Sequence, residues 1–215
     1  MNGGVNGTMI CDSQDCLVIG IDPGFKGAVA TLLCDRDANG VQLLNVVSCP
    51  TYTIKRKVTR MDRKAGVKKT KQIKQCVYAT SAMFTILFDL CHEHIFTRAI
   101  YAVIEKAQPM ADQGVASTFI TGVGFGYWEM ALIALNIPYM IPTPAAWARE
   151  AFMKLPDDIT GKDRTRYLAK QRFPDYNFVG YRRRLADDGW CDAVNLAYYG
   201  YEQRIWDLCD EWVPS

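Results

Sequence analysis

Two stretches of this chain offer no polar face. Leu17-Val18-Ile19-Gly20-Ile21 and Ala99-Ile100-Tyr101-Ala102-Val103-Ile104 are apolar at consecutive positions, not at alternate ones. Runs this short suit strands better than helices. A strand with no solvent-facing side must be covered on both faces, which puts it at the centre of a sheet with helices on either side. Each run ends in a carboxylate, Asp22 in the first and Glu105 in the second.

The remaining pattern fits around such a sheet. Residues 27–34 and 41–48 read as strands, and the turn signal Asp37-Ala38-Asn39-Gly40 between them makes an antiparallel meander with the first strand. Residues 72–96 carry Ile73, Val77, Tyr78, Met83, Phe84, Leu87, Leu90 and Cys91 at helical spacing. Residues 115–135 suit a helix despite Gly122, Gly124 and Gly126, and residues 137–142 a short strand. Thr143 caps the next helix with Pro144 at its first position. A helix over 161–173 stops at Pro174, and a last one runs from Asp187 or Asp188 to Tyr199. The order implies one mixed α/β domain with a central sheet over 17–207, flanked by a flexible tail at 1–16 and another at 208–215.

Charge is unevenly spread. The chain is +2 overall, yet residues 55–74 hold ten Lys or Arg against Asp62 alone, so that block is +9 and the rest −7. Such a block is either a solvated loop or a phosphate-binding arm, with Lys68, Lys69 and Lys71 as candidate contacts. No run of about 18 apolar residues occurs, so no membrane span is expected. The eight cysteines are scattered and form no Cys-x-x-Cys pair, and residues 1–14 lack the apolar core of a secretion signal. Reduced thiols and an intracellular location are the expectation.

Three places carry acids that a core-building sequence does not need. Asp22 sits in Asp-Pro-Gly, a strong turn signal, so it either shapes a hairpin or ligates a metal at the end of a buried strand. Glu105 is either a strand-end charge or a second ligand. Asp188 and Asp192 are either a helix cap with a first-turn acid, or two ligands on one helix face. Four residues of helix advance about 400°, so these two share a face, whereas Asp187 and Asp192 differ by about 500° and point apart. Together the four supply the hard oxygen donors that paired divalent cations require.

The segments "IGIDPGFKGAVA", "VIEKAQPMADQGVAS", "GVGFGYWEMALIALNIPYMIPTPAAWARE", "GKDRTRYLAKQRFP" and "DGWCDAVNLAYYG" occur in the order found in RuvC-like Holliday junction resolvases. The chain resembles the phage and chloroplast-type branch over residues 17–203. The resemblance implies an RNase H-like fold with a mixed five-stranded sheet flanked by helices. It also implies a homodimer, four-way junctions or other branched DNA as substrate, and two Mg²⁺ ions per site, replaceable by Mn²⁺. By motif, the catalytic and metal-holding acids are Asp22, Glu105, Asp188 and Asp192. Lys162 resembles a family lysine close to the site. The candidate DNA contacts are Lys26, Lys106, Arg164 and Arg182-Arg183-Arg184, with Gln108, Met110 and Gln113 in a loop that resembles the junction-probing segment.

Two other readings stay open at the level of sequence. An actin-like ATPase or kinase also begins with an Asp-x-Gly strand-turn-strand, although 215 residues are few for two lobes. A non-catalytic protein that binds branched DNA is the other.

Overall fold

The computed structural model describes residues 15–37, 40–62, 66–94, 99–109, 114–153, 155–180 and 186–209. Its main sheet has five strands: β1 (Asp15–Ile21), β2 (Ala28–Asp35), β3 (Val41–Ser48), β6 (Ala99–Ile104) and β7 (Tyr139–Met140). They lie in the order β3-β2-β1-β6-β7. β1, β2 and β3 form an antiparallel meander, and β6 and β7 run parallel to β1 and to each other. The expected mixed five-stranded sheet is therefore present, with β1 and β6 adjacent at its centre.

Both sheet faces are covered, as the unbroken apolar runs require. Val18, Tyr101 and Val103 face one layer, made by α3 (Pro144–Phe152), α4 (Asp163–Arg172), α5 (Asp188–Glu202) and α6 (Ile205–Cys209). Ile19, Ile21, Ala102 and Ile104 face the other, made by α1 (Thr80–His94) and α2 (Val115–Ala134). Leu17, Val18, Ile19 and Ile21 are fully buried. Burying each such side chain contributes about 1.5–3 kcal/mol, so a polar replacement in β1 breaks the layer that its side chain faces. No helix among the described residues is long and apolar enough to cross a membrane.

The basic block departs from its expected form. Residues 72–78, expected as the first turns of a helix, belong instead to β5 (Val67–Tyr78), which pairs with β4 (Thr51–Asp62) in a separate two-stranded sheet. Ile73 and Val77 satisfy a period of two as well as of four, and cross-strand pairing with Arg56 and Tyr52 decides between them. The helix starts only at Thr80. β1 begins at Asp15, in register with Asp35, and α6 adds an unforeseen turn after α5.

Candidate active site

Strand register brings the first two acids together. Ile21 pairs with Ile104 in the parallel ladder, and the Glu105 amide donates to the Ile21 carbonyl at 3.0 Å. Asp22 and Glu105 are thus the first residues beyond two neighbouring strands. Alternation continues past each strand end. Val18 and Gly20 lead to Asp22, and Tyr101 and Val103 to Glu105, all toward the α5 side.

α5 approaches from that side because glycines leave room for it. A Cβ at Gly20 would come within 2.0 Å of the Ala193 carbonyl, and one at Gly189 within 2.0 Å of the Lys26 carbonyl. The helix therefore lies directly on β1 and on the Asp22 turn, carrying Asp192 toward Asp22 and Glu105. Its N-cap is Asp187, whose Oδ1 accepts from the Gly189 amide at 3.1 Å.

The inner acids differ sharply from the outer one. Burial raises the proton affinity of Asp22, which the Gly24 amide on its Oδ1 (3.1 Å) partly offsets and the Asp187 charge increases. Burial pushes Glu105 up to about 7; Trp147 Nε1 donates to its Oε1 at 2.8 Å and lowers it, while the Asp22 charge raises it. Asp192 is likewise pushed up to about 7 by burial and by the charges of Asp22 and Glu105, offset in part by Thr165. None of these three carboxylates forms a direct ion pair among the described residues, although Lys162 feels the charge of Asp192 as well as that of Asp188. Asp188 is held below the usual carboxylate range. Burial alone would raise it, but Lys162 Nζ stands 2.9 Å from its Oδ2 and Arg166 Nη2 2.7 Å from its Oδ1.

Three hard-oxygen groups from three elements, without a direct ion-pair partner among the described residues, are a donor set suited to a divalent cation. Their chemistry fits the ion that the family resemblance implies. As the side chains lie, no group of three or more His, Cys, Asp or Glu among the described residues forms a ready metal cage.

The other sequence candidates fall around this cleft or away from it. Lys162 is at the rim as the N-cap of α4, exposed and bound to Asp188. Lys26 is exposed in the Asp22 turn; Lys106 and Gln108 are exposed just past Glu105. Arg164 is tied inward, donating through Nε to the Ile159 carbonyl at 2.8 Å with its guanidinium over the Phe152 ring. Lys68, Lys69 and Lys71 lie on β5, in the ribbon and not in the cleft. Met110, Gln113 and Arg182-Arg183-Arg184 lie outside the described residues. Gly122 and Gly126 face open space. Gly124 lies against its own chain instead, where a Cβ would meet Tyr78 Oη at 2.2 Å and the Pro23 carbonyl at 2.8 Å.

Sequence reasoning missed Arg166 and Trp147. Arg166 stands four residues after Lys162, so the helical same-face rule that linked Asp188 to Asp192 would have found it. Trp147 gave no such signal, since a buried indole reads as core.

No family model and no curated protein sequence matches the chain. Among solved structures it is similar to a T. thermophilus RuvC in complex with Holliday junction substrate, at 12% identity and a TM-score of 0.49, covering 88% of this chain and 96% of that one. It is also similar to a Thermus thermophilus RuvC at 13% identity and a TM-score of 0.46, over 88% and 96% of the two chains. The yeast mitochondrial Holliday junction resolvase Ydc2 is similar at 14% identity and a TM-score of 0.42, over 91% and 84%. Likenesses this distant assign no family.

Proposed function

We propose that the chain is a divalent-cation-dependent endonuclease that hydrolyses phosphodiester bonds in branched DNA, four-way junctions above all. The observation that carries this reading is the set of three unpaired, mutually repelling carboxylates at the ends of β1 and β6 and on α5. The segment order shared with RuvC-like resolvases supports the junction as substrate. Paired cuts across a junction need two such sites, and the described residues hold one, so the acting form in this reading is a homodimer.

Asp22, Glu105 and Asp192 would hold the cation, with Asp188 at their edge. When bound, Mg²⁺ or Mn²⁺ supplies the charge neutralisation and Lewis acidity that hydrolysis of a phosphodiester needs. The chain's own groups prepare for it. The Gly24 amide fixes the Asp22 carboxylate, and the Trp147 indole fixes Glu105. Arg166 keeps Asp188 ionised and in place, leaving exposed Lys162 to turn from Asp188 to a substrate phosphate and meet its developing charge. Lys26 and Lys106, exposed beside the two strand-end acids, are positioned for the flanking phosphates.

A labelled four-way junction incubated with Mg²⁺ tests this directly. Wild type should cut it into nicked duplexes and Asp22→Asn should not. Equal cutting by both would remove the acids from the chemistry, and tight binding with no cutting at any Mg²⁺ or Mn²⁺ concentration would leave a junction-binding protein.

A further inference from the structure

Beyond its base, the β4–β5 ribbon stands apart from the five-stranded sheet. It is a two-stranded sheet of its own, twelve residue pairs long from Thr51↔Tyr78 to Asp62↔Val67. Nearly all of its described side chains outside the base are exposed. A lone ribbon of this kind is marginally stable in water, and at about 3.4 Å per residue it extends on the order of 40 Å.

Register divides its side chains between a hydrophilic face and a mixed one. Thr53, Lys55, Lys57, Thr59 and Met61 share one side with Lys68, Thr70, Gln72, Lys74 and Cys76. That side carries four lysines and no acid, and between Lys57 and Lys68 the Thr59 and Thr70 hydroxyls hydrogen-bond at 2.9 Å. Tyr52, Ile54, Val58, Ile73 and Val77 lie on the other side, interleaved with Arg56, Lys69, Lys71 and Gln75. The lysine triplet suggested by sequence is thus split between faces, and only Lys68 belongs to the side with the threonines.

The base of the ribbon is joined to the acidic site. Tyr78, the last residue of β5, is buried and donates its hydroxyl to the Pro23 carbonyl at 3.2 Å. Its ring lies 4.2 Å from that of Phe25 in the same turn, and Gly124 of α2 backs it closely. The Cys49 amide donates to the Gly27 carbonyl at 2.8 Å just before β4 starts. Both legs of the arm therefore rest on the loop that carries Asp22.

We propose that the β4–β5 ribbon is an arm that lays its Lys55–Lys57–Lys68–Lys74 face into the major groove of a B-form DNA duplex, about one helical turn away from the acid cleft. The proposal rests on the nuclease reading for the identity of the ligand as DNA. A major groove about 12 Å wide admits a two-stranded ribbon, and one duplex turn of about 34–36 Å matches the arm's reach. The lysines then stand against phosphates, and the threonines between them face base edges that hydroxyls contact without strong preference. Tyr78 transmits the arm's position to the Asp22 turn, so that gripping a duplex places its phosphates relative to the acids.

The test uses the full chain in EDTA, where no hydrolysis occurs, so its outcome is separate from the fate of the nuclease reading. Binding of a fluorescent 30-base-pair DNA duplex is followed by anisotropy from 50 to 250 mM salt. Replacing Lys55, Lys57, Lys68 and Lys74 together by Gln should weaken binding at least about 30-fold at 100 mM salt and make the log–log salt slope shallower by about 3–4, one for each lost phosphate contact. Arginine at the same four positions should restore the slope, and replacing Arg56, Lys69 and Lys71 on the opposite face together by Gln should change it by less than about one. An RNA duplex of the same length should bind more weakly, because its deep, narrow major groove excludes the ribbon. An unchanged slope in the folded Gln variant would overturn the proposal. So would equal binding of RNA and DNA duplexes, and so would polyglutamate competing as well as DNA, which would point to an acidic polypeptide.

Discussion

The wall and the rim of the acid cleft solve the same electrostatic problem in opposite ways. At the rim, Asp188 is neutralised from within the protein by Lys162 and Arg166, which hold it ionised below the usual range. On the wall, Asp22, Glu105 and Asp192 have no such partner, and burial with mutual repulsion raises their proton affinities. A carboxylate already satisfied by two cations has less to gain from a metal than one left unsatisfied. The fold thus keeps an unfavourable charge cluster where a structural site would have placed a lysine or an arginine. Destabilised clusters of this kind mark functional positions.

The largest effect expected from this contrast is on catalysis. Asp22→Asn, Glu105→Gln and Asp192→Asn should each reduce single-turnover junction cleavage at least about 10³-fold, which is about 4 kcal/mol of transition-state stabilisation. Stability should move the other way. Glu105 and Asp192 both have folded pKa values above their unfolded ones, so the fold is favoured below about pH 4, and stability is lost as pH climbs toward 7. In EDTA at pH 8, Glu105→Gln and Asp192→Asn should therefore each be more stable than wild type by on the order of 2–3 kcal/mol, or roughly 5–10 °C in Tm. Thermal melts across pH 4–8 check it. The gap should close at the acid end and shrink when Mg²⁺ is added at pH 8; a gap independent of pH would mean that the wall acids are not destabilising.

How much of this was legible beforehand follows from what each signal depends on. The central strands were readable because an unbroken apolar run admits few structures, and Asp22 and Glu105 stood out because they end such runs. Helical geometry placed Asp188 and Asp192 on one helix. What register alone decides was not readable. Residues 72–78 fit either period until they pair with β4, and the basic block shows its two faces only once Lys55 is set opposite Lys74. The pairing of Asp188 with Lys162 and Arg166 joins two helices that pack through Asn195, whose Nδ2 donates to the Thr165 carbonyl at 2.9 Å. Contacts of that kind have no local pattern, so the sequence could name the acids without showing which was already neutralised.

The wall–rim contrast is sharpened by Asp188→Asn, which removes a charge that already has partners. It should reduce cleavage only about 10-fold, or about 1.4 kcal/mol, and leave Tm in EDTA unchanged or slightly lower because Lys162 and Arg166 lose their anion. A loss as deep as that of Asp22→Asn would move Asp188 to the wall and show that its cations yield to the metal.

The smallest effect is expected at Asp187, and it bears on which residue is the fourth acid. Asp187 is buried, caps α5 through the Gly189 amide, and adds its charge to the repulsion on Asp22. Asparagine caps a helix about as well as aspartate, so Asp187→Asn isolates the charge, whereas Asp187→Ala removes the cap as well and should cost about 1 kcal/mol of stability. If the carboxylate serves only as a cap, Asp187→Asn should cleave within about threefold of wild type and melt about 1–2 °C higher in EDTA, since one repulsive neighbour of Asp22 is gone. If Asp187→Asn instead lost cleavage as Asp22→Asn does while Asp188→Asn stayed active, the fourth acid would be the helix cap. The ion pair of Asp188 with Lys162 and Arg166 would then be a strut that fixes α4 against α5.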